Sequence, residues 1–191
     1  MIFITVGSQK FQFNRLLQKV DKLIETGVID EEVFAQIGAS DYRPVNYKYK
    51  DFLSQDEFND YIKKSDLIVT HAGTGAIVNA VKLEKKVIGI PRLKKYKEHV
   101  DDHQLQLIKE FDELNFIEPC YNIDCLDKAL KSVKKKKYNK YVSNTKTIIN
   151  SIRKYIEEWC LCLQGFLLFL ICILVINILV MEYLLKDFVK N

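Results

Sequence analysis

Glycine and proline are sparse in this chain, with seven and three among 191 residues. That scarcity excludes collagen-like and linker-dominated chains. Five cysteines are present. Neither Cys120 with Cys125 nor Cys160 with Cys162 has metal-site spacing backed by a second pair, so they read as small apolar residues of a reducing compartment. There is no zinc-finger spacing, RNA-binding signature or aromatic-basic platform, which argues against a nucleic-acid partner. G-x-G-x-x-G and a Walker lysine are both missing, which disfavours dinucleotide and ATP sites. The start, "MIFITVGS", has no basic n-region, so no signal peptide is expected.

What is present is ordinary globular material, 48% hydrophobic and 28% charged, with length enough for one useful core. The net charge of +4 is concentrated in "KSVKKKKYNK" at 131–140. Such a block reads as a solvated helix face or linker, with anionic lipid or nucleic acid as the functional alternatives. The tail differs: no charged residue occurs from Trp159 to Met181. That run exceeds the roughly 20 residues a bilayer-crossing helix needs, and a buried core helix seldom stays uncharged so long. The basic residues before it predict a single-pass protein with its N-terminal domain at the cytoplasmic face of the membrane. The expected domains are a folded domain at 1–156, a transmembrane helix at 159–181 and a short tail at 182–191. The apolar run reads either as a native anchor or as the fused or frame-shifted start of a neighbouring membrane protein.

The soluble part alternates strand-like and helix-like patterns. "MIFITV", "EEVFAQIG", "DLIVT", "VIGIP" and "FIEP" are short apolar runs. "FNRLLQKVDKLIETG" has helical spacing and a glycine stop, and "SQDEFNDYIKKS" opens with a capping box at Ser54 and Glu57. "YRPVNYKYKDFL" reads as a strand or extended loop. Strand–helix alternation predicts an α/β fold, a Rossmann-like parallel sheet with helices on both faces, followed by the C-terminal hydrophobic helix. In such sheets ligands bind beyond the carboxyl ends of the strands. Three loops then share one edge: Gly7–Phe11, Thr70–Gly75 and Pro91–Gln104.

"VTHAGTGAIVN" sets Gly73 and Gly75 around Thr74 at a strand-to-helix turn. Small residues allow a close approach to the backbone, and the first helical turn offers free N–H groups and a partial positive charge, which suits a diphosphate. A plain tight turn capped by Thr74 is the alternative. "GSQ" at 7–9 is a second small, donor-rich loop. "EHVDDHQ" at 98–104 collects groups suited to sugar hydroxyls, or simply a polar loop in which Asp101 or Asp102 caps the next helix. His99 and His103 are four apart, but the loop sets no ligand geometry, so no metal is expected.

"ITVGSQKFQFNRLL" followed by "HAGTGAIVNAVKLEKKVIGIPRLKKYKEHVDDHQLQLIKEF" resembles the C-terminal domain of glycosyltransferase family 28. Within it, the chain is most similar to the small PssE-like subunits of capsule and exopolysaccharide glycosyltransferases. These are relatives of the donor subunit of the eukaryotic two-component dolichol-linked N-acetylglucosaminyltransferase. The resemblance covers about residues 1–155. It implies the donor half of a GT-B fold. It places Gly7 and Ser8 in the first donor loop, and His71, Gly73, Thr74 and Gly75 near the diphosphate. It places Asp102, His103 and Gln104 near the donor sugar. Several relatives carry a glutamate for the ribose hydroxyls where this chain has Asn79, an amide without charge assistance.

The resemblance further implies a hexosyltransferase that takes a UDP-sugar, with no cofactor, and adds a galactosyl- or N-acetylglucosaminyl-type sugar to a lipid-linked saccharide. One Rossmann-like domain precedes the tail, whereas a GT-B enzyme needs two. The acceptor half and the general base are therefore expected on a partner subunit, with His71 as the only catalytic candidate here. It either orients a phosphate or caps the strand. The alternative is a non-catalytic partner that stabilises the true transferase.

Overall fold

The computed structural model describes residues 1–162 and 171–180. The chain divides into two compact units, Met1–Tyr141 and Val142–Asn191. The first is built on six parallel strands: β1 (Ile2–Thr5), β2 (Val33–Gln36), β3 (Lys48–Lys50), β4 (Leu67–Thr70), β5 (Lys86–Gly89) and β6 (Glu118–Pro119). Their order is β3-β2-β1-β4-β5-β6. This is the doubly wound Rossmann order, with its topological switch between β1 and β4.

Side-chain alternation along the strands makes two cores. Ile2, Ile4, Val33, Ala35, Leu67, Val69 and Ile88 point to one face, where they meet Leu16, Leu17 and Val20 of α1 (Asn14–Glu25) and Leu126, Leu130 and Val133 of α5 (Leu126–Lys135). Phe3, Phe34, Ile68 and Val87 point to the other. There they meet Ile62 of α2 (Gln55–Lys64), Ile77, Ala80 and Val81 of α3 (Thr74–Lys82), and Ile108 of α4 (His103–Glu113). A strand buried on both faces gains from β-branched and aromatic residues at every position, which is why these runs are continuously apolar. The capping box forms as the sequence indicates: Ser54 Oγ accepts from Glu57 N at 3.2 Å, and Glu57 accepts from Ser54 N at 3.0 Å.

Strict alternation of strand and helix fails once. β2 runs to the parallel β3 through residues 37–47 without a helix. A buried carboxylate on α1 organises that crossover instead. Asp21 is 5% exposed and accepts hydrogen bonds from the Tyr42 hydroxyl (2.7 Å), Val45 N (2.9 Å) and Asn46 N (2.8 Å). The Tyr47 hydroxyl donates to the Leu17 carbonyl at 3.0 Å. Asn14 of α1 adds a second acceptor, its Oδ1 receiving Asp41 N and Tyr42 N at 3.1 Å each, so backbone donors that a helix would satisfy internally are satisfied here by side chains of α1.

The second unit contains α6 (Thr145–Cys162) and a further helical stretch at 171–180. The expectation of a single-pass membrane protein is corrected. Among the described residues no helix is long and apolar enough to cross a membrane. Helix α6 carries Lys146, Arg153, Lys154, Glu157 and Glu158. Residues 163–170 and 181–191, which hold the rest of the proposed span and the short tail, lie outside the described residues.

Candidate functional site

The carboxyl ends of β1 and β4 are neighbours, since Thr5 pairs with Thr70. Beyond them the chain turns on Gly7, at φ +80°, and on Ala72, at φ +65°. Between the two turns stands the imidazole of His71. A Cβ built on Gly7 would lie 2.6 Å from the ring, and one on Gly73 would lie 2.5 Å from it. Gly38, at the end of β2 and at φ +56°, faces the other side: a Cβ there would lie 2.7 Å from the Gly7 carbonyl oxygen. Three adjacent strand ends thus carry glycines that leave room for one another and for His71. Gly75 differs, with open space where its side chain would be.

Nδ1 of His71 lies 3.3 Å from the Thr5 carbonyl and 3.4 Å from Thr70 Oγ1. A carbonyl only accepts, so the neutral ring holds its proton on Nδ1 and presents Nε2 as an acceptor. Burial, and secondarily the positive charge of Arg92, lower the pKa of His71 to about 4. The ring is therefore neutral at physiological pH. This favours the strand-capping role over a cationic phosphate contact, and makes the ring a weak base.

Helix α3 starts at Thr74 with Gly73 as its N-cap and no capping side chain. Its first intrahelical bond runs from Ile77 N to the Gly73 carbonyl at 3.1 Å. The N–H groups of Thr74, Gly75 and Ala76 precede that ladder, and Thr74 and Gly75 are exposed. Ser8 is exposed on the first loop. Asn79 sits farther along α3 and donates to Asn59 Oδ1 of α2 at 3.4 Å.

The third loop is bound to the first. Gln12 Nε2 donates to the Tyr96 carbonyl at 3.0 Å, and the Phe11 ring packs 5.0 Å from that of His99. Arg15 of α1 donates to Glu98 at 2.7 Å and to the Pro91 carbonyl at 2.6 Å. Asp102 is exposed, and its carboxylate accepts from Lys94 N at 2.8 Å. The side chain that receives the His103 N–H is that of Asp101, at 3.1 Å. The helix N–H holds the Asp101 carboxyl below its ordinary pKa, with help from His99. His103 is exposed, 3.2 Å from Gln106. Gln104 turns inward instead: it is 6% exposed, and its carboxamide oxygen accepts from Arg92 N at 2.9 Å.

Sequence reasoning missed Gly38, Arg92 and Glu98. Gly38 had a signal, a rare glycine closing a strand-like run. Arg92 and Glu98 stood among many charged residues, and only the fold shows them to be 0% and 1% exposed. No group of His, Cys, Asp and Glu that could hold a metal ion occurs among the described residues.

Residues 1–159 match the model of the glycosyltransferase family 28 C-terminal domain. The chain is 32% identical over 101 residues to the UDP-N-acetylglucosamine transferase subunit ALG13 of Candida albicans, an alignment covering 52% of this chain and 32% of that protein. It is 31% identical over 58 residues to the subunit of the same name from Debaryomyces hansenii, covering 30% of this chain and 27% of that one. The chain thus spans about a third of the length of the curated relatives it matches. Among solved structures, the glycotransferase of kitacinnamycin superposes with a TM-score of 0.54 at 16% identity, over 71% of this chain and 35% of that one. That likeness is one of fold.

Proposed function

The chain belongs to the glycosyltransferase family 28 C-terminal domain family, and from that premise we propose that it is the donor-binding subunit of a two-component inverting glycosyltransferase. The observation that carries the proposal is the edge at the β1/β4 switch, where the first loop and the uncapped start of α3 meet around His71. Its donor is a UDP-sugar, in line with the transferase named for the fungal relatives. The free N–H groups of Thr74, Gly75 and Ala76, the Thr74 hydroxyl and the positive end of α3 receive the diphosphate. Gly7 and Ser8 close over it, and Asp102 and His103 lie on the sugar side.

In this reading the acceptor hydroxyl attacks the anomeric carbon as UDP departs. Charge grows on the diphosphate in the transition state, where the α3 terminus stabilises it. The general base and the acceptor site come from a second subunit, because the fungal relatives are themselves named as subunits. The acceptor is a lipid-linked saccharide of capsule or exopolysaccharide assembly, and the sugar is of galactosyl or N-acetylglucosaminyl type. A donor-type domain spans 1–156.

Calorimetry of the full chain with UDP tests the donor site. Co-expression with an acceptor-half subunit and assay against a panel of UDP-sugars tests the reaction. Absence of UDP binding would overturn the donor reading. It would favour a non-catalytic partner, a role consistent with Asn79 being engaged by Asn59.

A further inference from the structure

Among the described residues Arg92 is the largest fully buried side chain. It lies three residues past the end of β5, yet its guanidinium crosses to the loop after β1. There Nη2 donates to the carbonyl of Val6 and, at 2.9 Å, to that of Phe11. These two carbonyls bracket the first loop, residues 7–10. The guanidinium carbon stands 5.7 Å from the Phe13 ring centroid. Nε and Nη1 are buried without a hydrogen-bond partner. A chain that sequesters an arginine this fully ordinarily spends all five donors, so leaving two unmatched is costly.

The charge is also incompletely balanced. The neighbouring carboxylate is Glu98, and Glu98 already receives Arg15 Nε at 2.7 Å and Leu93 N at 3.0 Å. Among the described residues Arg92 has no ion pair of its own, and Glu98, the carboxylate whose charge favours its protonated form, is already paired with Arg15. His71, which packs on Gly7, is neutral and offsets nothing. An anion bound above Gly7 would supply the missing negative charge through a layer of low dielectric, where Coulomb interactions are strong.

We propose that Arg92 is the positioning residue of the first loop and the fixed positive charge that makes this loop prefer an anionic ligand. It acts through the carbonyls it holds and through its field rather than by touching the ligand. The inference rests on the donor-site reading in one respect: the anion is taken to be the nucleotide diphosphate.

The test uses the full chain and compares UDP with uridine, which shares the base and ribose but has no diphosphate. In Arg92→Met, UDP affinity falls about tenfold or more while uridine affinity changes less than about threefold, as expected when a charge-assisted term is lost. Arg92→Lys keeps the charge and recovers most of the preference. Glu98→Gln keeps the acceptor oxygen for Arg15, removes the balancing charge and raises the preference for UDP. A second readout needs no ligand: NMR titration of the His71 ring, which faces Arg92 and His99. Its midpoint rises by about one unit in Arg92→Met and stays near wild type in Arg92→Lys.

Equal losses for UDP and uridine, or an unmoved His71 midpoint, would reduce Arg92 to a packing brace and overturn the proposal. Wild-type protein that ignores UDP would overturn the donor reading, and the His71 titration then decides the role of Arg92 by itself. If Arg92→Met does not fold, the Arg92→Lys and Glu98→Gln variants decide, through an unchanged and a raised UDP preference.

Discussion

The ring of His71 occupies the volume that a side chain on Gly73 would need, at 2.5 Å from the nearest ring atom. Gly73 has an ordinary negative φ of −68°, so its backbone admits any residue and the neighbour alone forbids one. Gly73→Ala is therefore expected to cost about 1–3 kcal/mol, the range for overpacking. Most of that loss should return in the double variant with His71→Ser. A double-mutant cycle in urea measures the coupling, and simple additivity would count against this packing.

Acid stability depends on the same ring. The pKa of His71 is lowered to about 4 in the folded protein from an ordinary 6.5. A depressed pKa means that the unfolded chain binds the proton more readily. Stability attributable to this ring is thus complete above about pH 6.5 and is lost as pH falls towards about 4. The size is on the order of 3 kcal/mol. His71→Asn, compared with wild type across that window, should show a flatter fall, whereas parallel curves would mean that the ring titrates normally.

Gln104→Ala is expected to act first on stability. It leaves the Arg92 N–H buried without its acceptor, at a cost of about 1–3 kcal/mol. Urea midpoints measure this. An unchanged midpoint with a selective loss of turnover on UDP-sugar would return Gln104 to the sugar-contacting role that the sequence suggested.

Gly75→Val probes the ligand side with little structural cost, because nothing lies within 4 Å of the added Cβ position. Its melting temperature should stay near wild type while UDP binding is abolished. Thr74→Ala should weaken UDP by about 1–2 kcal/mol, the range for a bond to a charged group. A folded Gly75→Val protein that binds UDP normally would remove the α3 terminus from the site.

Asp21→Ala removes the acceptor shared by Tyr42, Val45 and Asn46. The expected cost is about 2–4 kcal/mol, with several donors stranded at once. Hydrogen exchange should rise first at residues 42–47. Uniform exchange would mean that the crossover does not depend on this carboxylate.

Much of the sheet was legible because a strand buried on both faces has few alternatives to Ile, Val, Leu and Phe, as in "IFIT" and "LIVT". The glycine turns were legible from their scarcity and position. Their partner was not. Nothing local says that the histidine between Thr70 and Ala72 lies across Gly7, since that contact joins segments distant in sequence. The inward turn of Gln104 was hidden for a related reason: a carboxamide suits a sugar and a buried N–H equally well, and only the position of Arg92 decides. The segment "YRPVNYKYKDFL" was legible only as a strand or extended loop, because the organiser of the β2–β3 crossover, Asp21, sits on another element.

The clamp between Arg92 and Val6 spans 86 residues of chain. During synthesis at about 5–20 residues per second, the first loop leaves the ribosome on the order of 4–17 s before the guanidinium that shapes it. Until then β1 can pair with β2 and β4, and His71 can stand over Gly7, but the loop after β1 lacks the guanidinium that holds its two ends. The edge assigned to the donor thus acquires its form only after the strands β1 to β5 have emerged. A nascent chain stalled before residue 92 would carry a nearly complete strand order with an open rim, a state that chaperones meet and a ligand does not.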